Sequence, residues 1–216
     1  MNIEQARFNM IEQQIRPWDV LDKGILGLLA IVRREEFVPL DYRALAFVDT
    51  EVPLPEGEQM LPPRVEARVL QELQVQRHER VLEVGAGSGF MAALLGHRAQ
   101  SVISLEIKPA LAKFATDNLR RSGAANVTVV QADGVHGYAA EAPFDVIVLS
   151  GSVSKVPADL LAQLKLGGRL MAFEGEEPVM EAARYTATPN GTERVALFEY
   201  NARRLAGFPE PSRFHF

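Results

Sequence analysis

The sequence predicts an α/β protein with a mostly parallel sheet of seven strands, an antiparallel carboxyl-terminal hairpin and helices at the amino terminus. From Arg80 onward, short apolar runs alternate with segments of helical periodicity, an order typical of a parallel sheet. The first of these runs breaks at a glycine-rich turn, Gly85–Gly89. Near the end of the chain, Asn190 and Gly191 separate two strand-like runs and predict a tight hairpin. The 216 residues, 47% of them hydrophobic, fit one domain.

The amino-terminal part, residues 1–78, is expected to combine helices with one long loop. Apolar positions at helical spacing predict three helices, at Ile3–Ile15, Leu21–Arg34 and Arg64–Leu73. The proline-rich stretch from Phe37 to Pro63 predicts an irregular segment that crosses the surface. Loops of this length inside compact domains are often functional. We expect Trp18 to pack between the first two helices, the alternative being a cover over a bound ligand.

Residues 79–216 are expected to form an α/β core. Its predicted strands are Val81–Val84, Val102–Glu106, Val127–Gln131, Phe144–Leu149, a strand that follows Gly167-Gly168, and the hairpin strands Val179–Thr188 and Thr192–Tyr200. The predicted helices are a segment from the glycine turn to about Gly96, Pro109–Arg121 and Pro157–Leu164.

The glycine turn carries the strongest functional signal. Gly85, Gly87 and Gly89, with Ser88 between the last two, let the backbone turn sharply and approach a ligand closely. Glu83 lies just before the turn.

Two further strands end on acidic residues. Glu106 follows the glycine turn by about 20 residues, where a ribose diol needs an acceptor. Asp133, beside Gly134, could accept from an adenine amino group. Ligands of open α/β sheets lie at the carboxyl ends of the strands, so these turns are expected to meet in one crevice.

Each of these features also has an ordinary explanation. Glycine turns often serve packing, Glu106 could be a solvated strand end, and Asp133 could bond its own backbone in a turn. Their common order and spacing favour a nucleotide-type cofactor. The pattern G-x-G-x-x-G of dinucleotide folds requires glycine at position 90, where this chain has Phe90. A turn of this kind, preceded by Glu83, resembles motif I of S-adenosylmethionine-dependent methyltransferases.

Composition excludes several other classes. A net charge of -5 provides no general field for nucleic acid, although a local basic patch remains possible. The chain has no cysteine, and its four histidines are scattered without ligand spacing, so no metal site is expected. No signal-peptide pattern or apolar run of membrane-spanning length occurs, which predicts a cytoplasmic protein without a membrane partner.

Several ordered segments between Met10 and Phe173 resemble the protein-L-isoaspartate O-methyltransferase family. They are Met10–Arg16, Arg34–Pro39, Ala46–Asp49, Pro53–Pro55, the glycine turn and Ala142–Val148. The resemblance implies a Rossmann-like methyltransferase fold. It also implies transfer of a methyl group from S-adenosylmethionine to the free carboxylate of an L-isoaspartyl residue, a protein-repair reaction. The implied partners are a damaged protein or peptide, or a small carboxylate.

The resemblance assigns cofactor roles by position. Glu83, Gly85, Gly87 and Gly89 form the turn, Glu106 binds ribose, and Asp133-Gly134 binds adenine. Because a sulfonium activates its methyl group and a carboxylate is already nucleophilic, no strong general base is required. We therefore assign no catalytic residue.

The substrate loop departs from the family. After a Gly-Gln pair the family usually has Thr-Ile-Ser-Gln-Pro, whereas this chain has Gln59, Met60, Leu61, Pro62 and Pro63. Leu61 cannot donate to a carboxylate, and the loss of a donor to a charged group typically costs ~1.5 to 3 kcal/mol.

A second departure follows the fourth core strand, where Ser150–Lys155 replaces the small residues of the family. Ser150 and Ser152 could supply replacement hydroxyls or cap turns, and Lys155 could meet a substrate carboxylate or lie in solvent.

Two hypotheses of different class follow. One is an active carboxyl methyltransferase, with a different acceptor as a variant; the other is a cofactor-binding homologue that has lost isoaspartyl activity. The acceptor, the oligomeric state and the role of the tail Pro209–Phe216 stay open.

Overall fold

A computed structural model describes residues 2–210. Its helices are α1 Ile3–Met10, α2 Lys23–Ile31, α3 Pro63–Leu73, α4 Phe90–Arg98, α5 Pro109–Ser122 and α6 Ala158–Leu161. Its strands are β1 Val52–Pro53, β2 Gln59–Met60, β3 Arg80–Val84, β4 Ser101–Glu106, β5 Val127–Gln131, β6 Phe144–Val153, β7 Leu164–Glu176, β8 Val179–Thr188 and β9 Gly191–Glu199.

The main sheet has seven strands in the order β5-β4-β3-β6-β7-β8-β9. Strands β3 to β7 pair in parallel, and β8 pairs antiparallel with both β7 and β9. The β8–β9 hairpin turns at Pro189-Asn190, one residue before the predicted pair, because Gly191 is the first residue of β9 and pairs with Thr188. The predicted fold class is therefore confirmed, including the number of strands and the antiparallel end.

Apolar residues cover both faces of the sheet. Val81 of β3 belongs to a core shared with the amino-terminal helices, whereas its neighbour Leu82 belongs to a second core on the other face. Burial on both faces is the usual state of parallel strands because helices cover each side. The first core also includes Ile15 and Leu70, which supports the proposal that residues 1–216 form a single domain.

The amino-terminal helices follow the predicted pattern, with two changes of pitch after α1. Helix α1 continues as π-helix over Ile11–Ile15 and as a 3₁₀ turn over Arg16–Trp18, and it ends at Asp19, whose φ is 66°. Trp18 packs edge-on against Phe198 of β9, with 5.4 Å between ring centroids, and the Arg64 guanidinium lies 4.6 Å from its ring centroid. Its contacts thus reach the hairpin, and it does not line the cavities described below.

The segment from Phe37 to Pro63 is less irregular than predicted. It contains 3₁₀ turns over Leu40–Phe47 and a two-stranded ribbon in which Val52 pairs with Met60. The substrate loop, residues 59–63, thus begins with strand β2 of this ribbon and ends at the first residue of α3. Among residues 2–210, no helix combines the length and apolar character needed to cross a bilayer.

Candidate functional site

A crevice lies at the carboxyl ends of β3 to β6. Four of the predicted cofactor residues line it, namely Gly85, Gly87, Glu106 and Gly134, together with Gln59 of the substrate loop. Glu83 and Ser88 instead line an adjoining cavity, which shares Gln59, Gly85, Gly87 and Ser150 with the crevice. Gly89 and Asp133 line neither space, so the convergence expected from strand order brings together six of the eight predicted cofactor residues.

The glycine turn has a backbone that other residues rarely adopt. Gly85, Gly87 and Gly89 have φ values of 93°, 52° and 82°. The amide of Gly85 donates to the Leu105 carbonyl at 2.8 Å, which ties the turn to β4. Gly89 begins α4, and a side chain there would meet the backbone of Ala115. Both the sharp bend and the close packing require glycine.

Glu106 is buried and bridges the two strand ends that form the crevice. One carboxylate oxygen accepts from the Gly87 amide at 2.9 Å, and the other accepts from the Lys108 amide at 3.1 Å. The carboxylate therefore has a fixed position at the crevice wall. Its role toward ribose stays a prediction.

Asp133 and Gly134 differ in their surroundings. Asp133 is exposed, and its side chain accepts from the Val135 amide at 3.0 Å in a local turn. Gly134 is buried, and a Cβ atom there would lie only 2.3 Å from a methyl group of Val84. Packing alone thus requires glycine at 134. An adenine contact from Asp133 stays a prediction.

Glu83 lies fully buried beneath the turn. Its carboxylate accepts from the hydroxyl groups of Ser104, at 2.5 Å, and Ser150, at 2.7 Å. Burial raises the pKa of Glu83 to about 7, although these two hydrogen bonds act in the opposite direction. The hydroxyl of Ser150 therefore serves Glu83 in this structure.

The substrate loop forms one wall of the adjoining cavity. Met60 and Leu61 are 3% and 8% exposed, and both line the cavity next to Gly87. Gln59 faces both spaces, whereas Pro62 and Pro63 begin helix α3. The loop residues thus lie beside the glycine turn, and their part in an acceptor site stays a prediction.

A buried ion pair fixes this loop. The guanidinium of Arg34, 1% exposed, pairs with the Glu66 carboxylate and donates to the carbonyl of Leu61 at 2.6 Å. Burial raises the pKa of Glu66 to about 7, opposed by the charge of Arg34. Glu66 is not among the site residues predicted from the sequence. An acidic residue inside the apolar pattern of α3 was the available signal.

The carboxyl-terminal strap, which we define as Asn201–Phe208, crosses the crevice and was not predicted. Ser152 anchors it: its amide donates to the Arg203 carbonyl at 2.8 Å, its carbonyl accepts from the Leu205 amide at 2.9 Å, and its hydroxyl donates to the Ala202 carbonyl at 2.7 Å. Ser152 is fully buried. Its hydroxyl therefore binds the strap and is not the replacement hydroxyl that the sequence left open as an alternative. Lys155 is exposed, in agreement with the alternative of an ordinary solvated lysine.

Leu205 of the strap lies against the glycine turn. A Cβ atom at Gly85 would come within 2.8 Å of its side chain, and one at Gly151 within 2.9 Å. Gly207 approaches the carboxylate of Asp133. The strap therefore covers both predicted ends of the cofactor site. Within the tail Pro209–Phe216, the residues from 211, including His215, lie outside the described residues.

Charged side chains join the strap to the substrate loop. Glu58 pairs with Lys108, which follows β4, and with Arg203 of the strap at 2.9 Å. All three residues line the crevice. Among residues 2–210 there is no cluster of side chains suited to hold a metal ion.

The site fits S-adenosylmethionine on chemical grounds. Gly85 and Gly87 line the crevice with backbone atoms alone, although Leu205 of the strap packs beside Gly85. The Glu106 carboxylate provides a fixed acceptor at the end of β4, and the buried Glu83, whose pKa is raised to about 7, provides a negative charge below the turn when it is ionised, which suits a sulfonium. Fold and site together define a Rossmann-like, S-adenosylmethionine-dependent methyltransferase.

Comparison with known proteins narrows the class. The family model described as Protein-L-isoaspartate(D-aspartate) O-methyltransferase (PCMT) matches residues 5–194, and the chain belongs to this family. A Protein-L-isoaspartate O-methyltransferase from Methanoculleus marisnigri is 36% identical over 193 residues, 89% of this chain and 88% of the relative. A relative of the same name from Koribacter versatilis is 39% identical over 176 residues, which cover 82% and 79% of the two chains.

Solved structures agree on the fold. A β-aspartate methyltransferase (PCMT) from Plasmodium falciparum, in complex with S-adenosyl-L-homocysteine, superposes with a TM-score of 0.78. It is 21% identical, and the match covers 95% of this chain and 98% of that one. The protein is thus an S-adenosylmethionine-dependent O-methyltransferase of the PCMT family.

Proposed function

We propose that the protein methylates the free carboxylate of L-isoaspartyl residues in damaged polypeptides. The main observation in support is that the adjoining cavity, which the substrate loop lines, shares Gly85, Gly87 and Ser150 with the cofactor crevice. An acceptor in the cavity would therefore meet the cofactor at the glycine turn. Family membership supports this choice of acceptor. We also propose that the protein is cytoplasmic. Its single domain would consist of an amino-terminal part, residues 1–78, and an α/β core, residues 79–216.

The residues of the chain have positioning roles in this reaction. When bound, S-adenosylmethionine supplies a methyl group already activated by its sulfonium. The glycine turn and Glu106 would fix the cofactor, while Glu83 would balance its positive charge. Met60 and Leu61 would exclude water from the line of transfer. Alignment of this kind lowers the barrier without a proton transfer, because the acceptor carboxylate is already a nucleophile.

A second candidate is methylation of a different acceptor, which the chemistry of the cavity favours. Two acidic side chains, Glu66 and Glu83, line it. Arg34, which could attract a carboxylate, is already occupied by Glu66 and the Leu61 carbonyl. Leu61 offers no hydroxyl at the position where the family usually has serine. An acceptor without a negative charge would avoid repulsion from both acids.

Transfer of labelled methyl from S-adenosylmethionine to a synthetic isoaspartyl peptide tests the proposal. The matched peptide with a normal aspartyl linkage is the control, and S-adenosylhomocysteine affinity is measured in parallel. We expect selective labelling of the isoaspartyl peptide. Tight cofactor binding without transfer would reject the isoaspartyl acceptor and favour the second candidate or the cofactor-binding homologue. Failure of both measurements would reject the assignment of the cofactor site.

A further inference from the structure

A second concave surface lies at the opposite end of the sheet from the crevice. We call it the basic groove and define it by Lys23, Arg77, His78, His97 and Arg98, which line a cavity of about 690 Å³. Arg77 and His78 precede β3, and His97 and Arg98 end the helix that leads into β4. These residues therefore surround the amino ends of strands whose carboxyl ends form the methyl-transfer site. The volume lies within the range of ligand-binding clefts.

Two acids next to this groove in the sequence, Asp22 and Glu79, form no ion pair with its basic side chains. Asp22 caps helix α2 and accepts from the Gly24 and Ile25 amides at 2.7 and 3.0 Å. The Glu79 carboxylate forms an ion pair with the Arg169 guanidinium, with 2.6 Å between Oε1 and Nη1. The groove thus concentrates basic side chains on a chain whose net charge is -5. A local field of this sign attracts anionic ligands even when the whole protein is acidic.

The groove also has an apolar component. Leu28 and Val75 are buried in its lining, and Ile31 at its rim is 71% exposed. The position of a Cβ atom at Gly27 has no neighbouring atom within 4 Å, so the groove is open along this side of α2. The lining therefore suits a ligand with both negative charge and aliphatic groups.

The lining residues disfavour nucleic acid as the occupant. No phenylalanine, tyrosine or tryptophan side chain lines the groove within the described residues, so the larger stacking platforms for unpaired bases are missing and only the imidazole rings of His78 and His97 are present. Aliphatic side chains fit leucine, isoleucine or valine of a polypeptide, and basic side chains fit its carboxylates.

We propose that the basic groove binds an acidic polypeptide segment that carries aliphatic side chains. The carboxylates of the segment contact Lys23, Arg77 and Arg98, and its aliphatic groups pack on Leu28 and Ile31. The proposal does not rest on methyl transfer. It adds a docking surface at a distance from the crevice, where a protein partner or an acidic region of a substrate protein can bind while the active site stays accessible.

Fluorescence anisotropy with a labelled peptide of alternating glutamate and leucine tests this proposal in the full chain. The same peptide with glutamine in place of glutamate is the ligand control. Lys23→Glu combined with Arg77→Glu reverses two exposed charges of the groove. Lys113→Glu combined with Arg120→Glu makes the same charge change on α5, where the side chains are 78% and 77% exposed.

We expect the groove variant to lose at least about tenfold in affinity and the α5 variant less than about threefold, because screened distant charges contribute little. Ile31→Gln is expected to lower affinity for the glutamate–leucine peptide severalfold, and the glutamine peptide should bind weakly. Thermal unfolding and S-adenosylhomocysteine affinity of each variant check that fold and crevice are intact.

Three results would overturn the proposal. They are absence of peptide binding at low salt, equal losses in the groove and α5 variants, and tighter binding of a single-stranded RNA of matched charge. The last result would assign the groove to nucleic acid. A methyltransferase that fails to modify isoaspartyl peptide but passes this binding test would leave the docking proposal intact.

Discussion

Glu106 connects the glycine turn to the end of β4 through hydrogen bonds to the Gly87 and Lys108 amides. We expect Glu106→Ala to weaken S-adenosylhomocysteine binding by roughly tenfold to a hundredfold, since each hydrogen bond to a charged group is worth ~1.5 to 3 kcal/mol. Isothermal titration calorimetry measures the change. Glu141→Ala, which removes an exposed carboxylate paired with Arg80, is the control. Equal affinity in both variants would exclude Glu106 from the cofactor site.

Gly87 offers a steric test of the same site. Its φ is 52°, and an added Cβ atom would lie 3.3 Å from a methyl group of Leu54. We expect Gly87→Val to abolish measurable cofactor binding because it strains the backbone and fills the crevice wall. Gly57→Val is a suitable control for strain without obstruction, since its φ is 72° and its Cβ position is open. Calorimetry measures the S-adenosylhomocysteine affinity of both variants. A loss of affinity in Gly57→Val alone, with Gly87→Val unchanged, would contradict the assignment of the site.

Leu61 and Gln59 stand at two substrate-loop positions where the family usually has hydroxyl side chains. We expect Leu61→Ser with Gln59→Thr to raise isoaspartyl methylation by roughly tenfold to a hundredfold, because a hydroxyl then faces the acceptor carboxylate. The backbone contact from Arg34 to the Leu61 carbonyl does not depend on either side chain. A methyl-release assay measures the gain. Leu61→Ala with Gln59→Ala enlarges the cavity without adding a hydroxyl, so a similar gain in that variant would show that space is the cause.

The carboxyl-terminal strap is held to the substrate loop partly by the Arg203–Glu58 ion pair. We expect Arg203→Ala to speed dissociation of S-adenosylhomocysteine by about two- to fivefold, because a half-exposed ion pair contributes little more than ~1 kcal/mol. Stopped-flow displacement measures this rate. Arg33→Ala removes another exposed pair, with Glu36, far along the chain from the strap. An unchanged rate in Arg203→Ala would show that this ion pair does not control the exit of the cofactor.

Regular elements with local signals were predictable from the sequence. The five parallel strands and the hairpin were predicted because each carries its own apolar run or turn residues, and the strand Val127–Gln131 has the predicted bounds. The candidate site was predictable where its residues lie next to a strand end, as at Gly87 and Glu106. Both residues lie in the crevice because parallel strands end at the same edge.

Contacts between distant segments were not predictable. Arg34 and Glu66 are separated by 32 positions, and nothing local indicates that they pair beneath the substrate loop. The strap depends on hydrogen bonds from Ser152 to a segment about 50 residues later, whose sequence has no strand or helix periodicity. The hydrogen bond from the Ser150 hydroxyl to Glu83 was equally unpredictable, because β3 and β6 become neighbours only in the folded sheet.

At the scale of the whole molecule, ionisable groups of two kinds control the pH dependence of stability. Burial raises the pKa of Glu83 and of Glu66 from the ordinary 4.5 to about 7. Hydrogen bonds and ion pairs outweigh burial at Glu79, Asp145 and Glu174 and lower the pKa of each carboxyl group. The first pair destabilises the folded protein once ionised, whereas the second group stabilises it once ionised.

The two kinds of groups act in separate pH ranges. Between about pH 4.5 and 7, folded Glu83 and Glu66 bind more protons than they do in the unfolded chain. The free energy of unfolding therefore falls as pH rises through this range. Stabilisation from the carboxyl groups with lowered pKa is lost only as pH falls below their unfolded values, so stability of the cofactor-free protein should be greatest on the acidic side of neutrality.

Glu83→Gln separates this burial cost from other pH effects. We expect the variant to lose much less stability than the parent chain between about pH 4.5 and 7, by up to about 3 kcal/mol, because a neutral amide at 83 requires no proton. Urea unfolding of the cofactor-free proteins at a series of pH values measures the difference, with the exposed Glu141→Gln as control. An equally steep decline in Glu83→Gln would mean that Glu83 is ionised at little cost in the fold. The negative charge beneath the glycine turn would then be present before the cofactor binds, and the sulfonium would meet a carboxylate that needs no deprotonation.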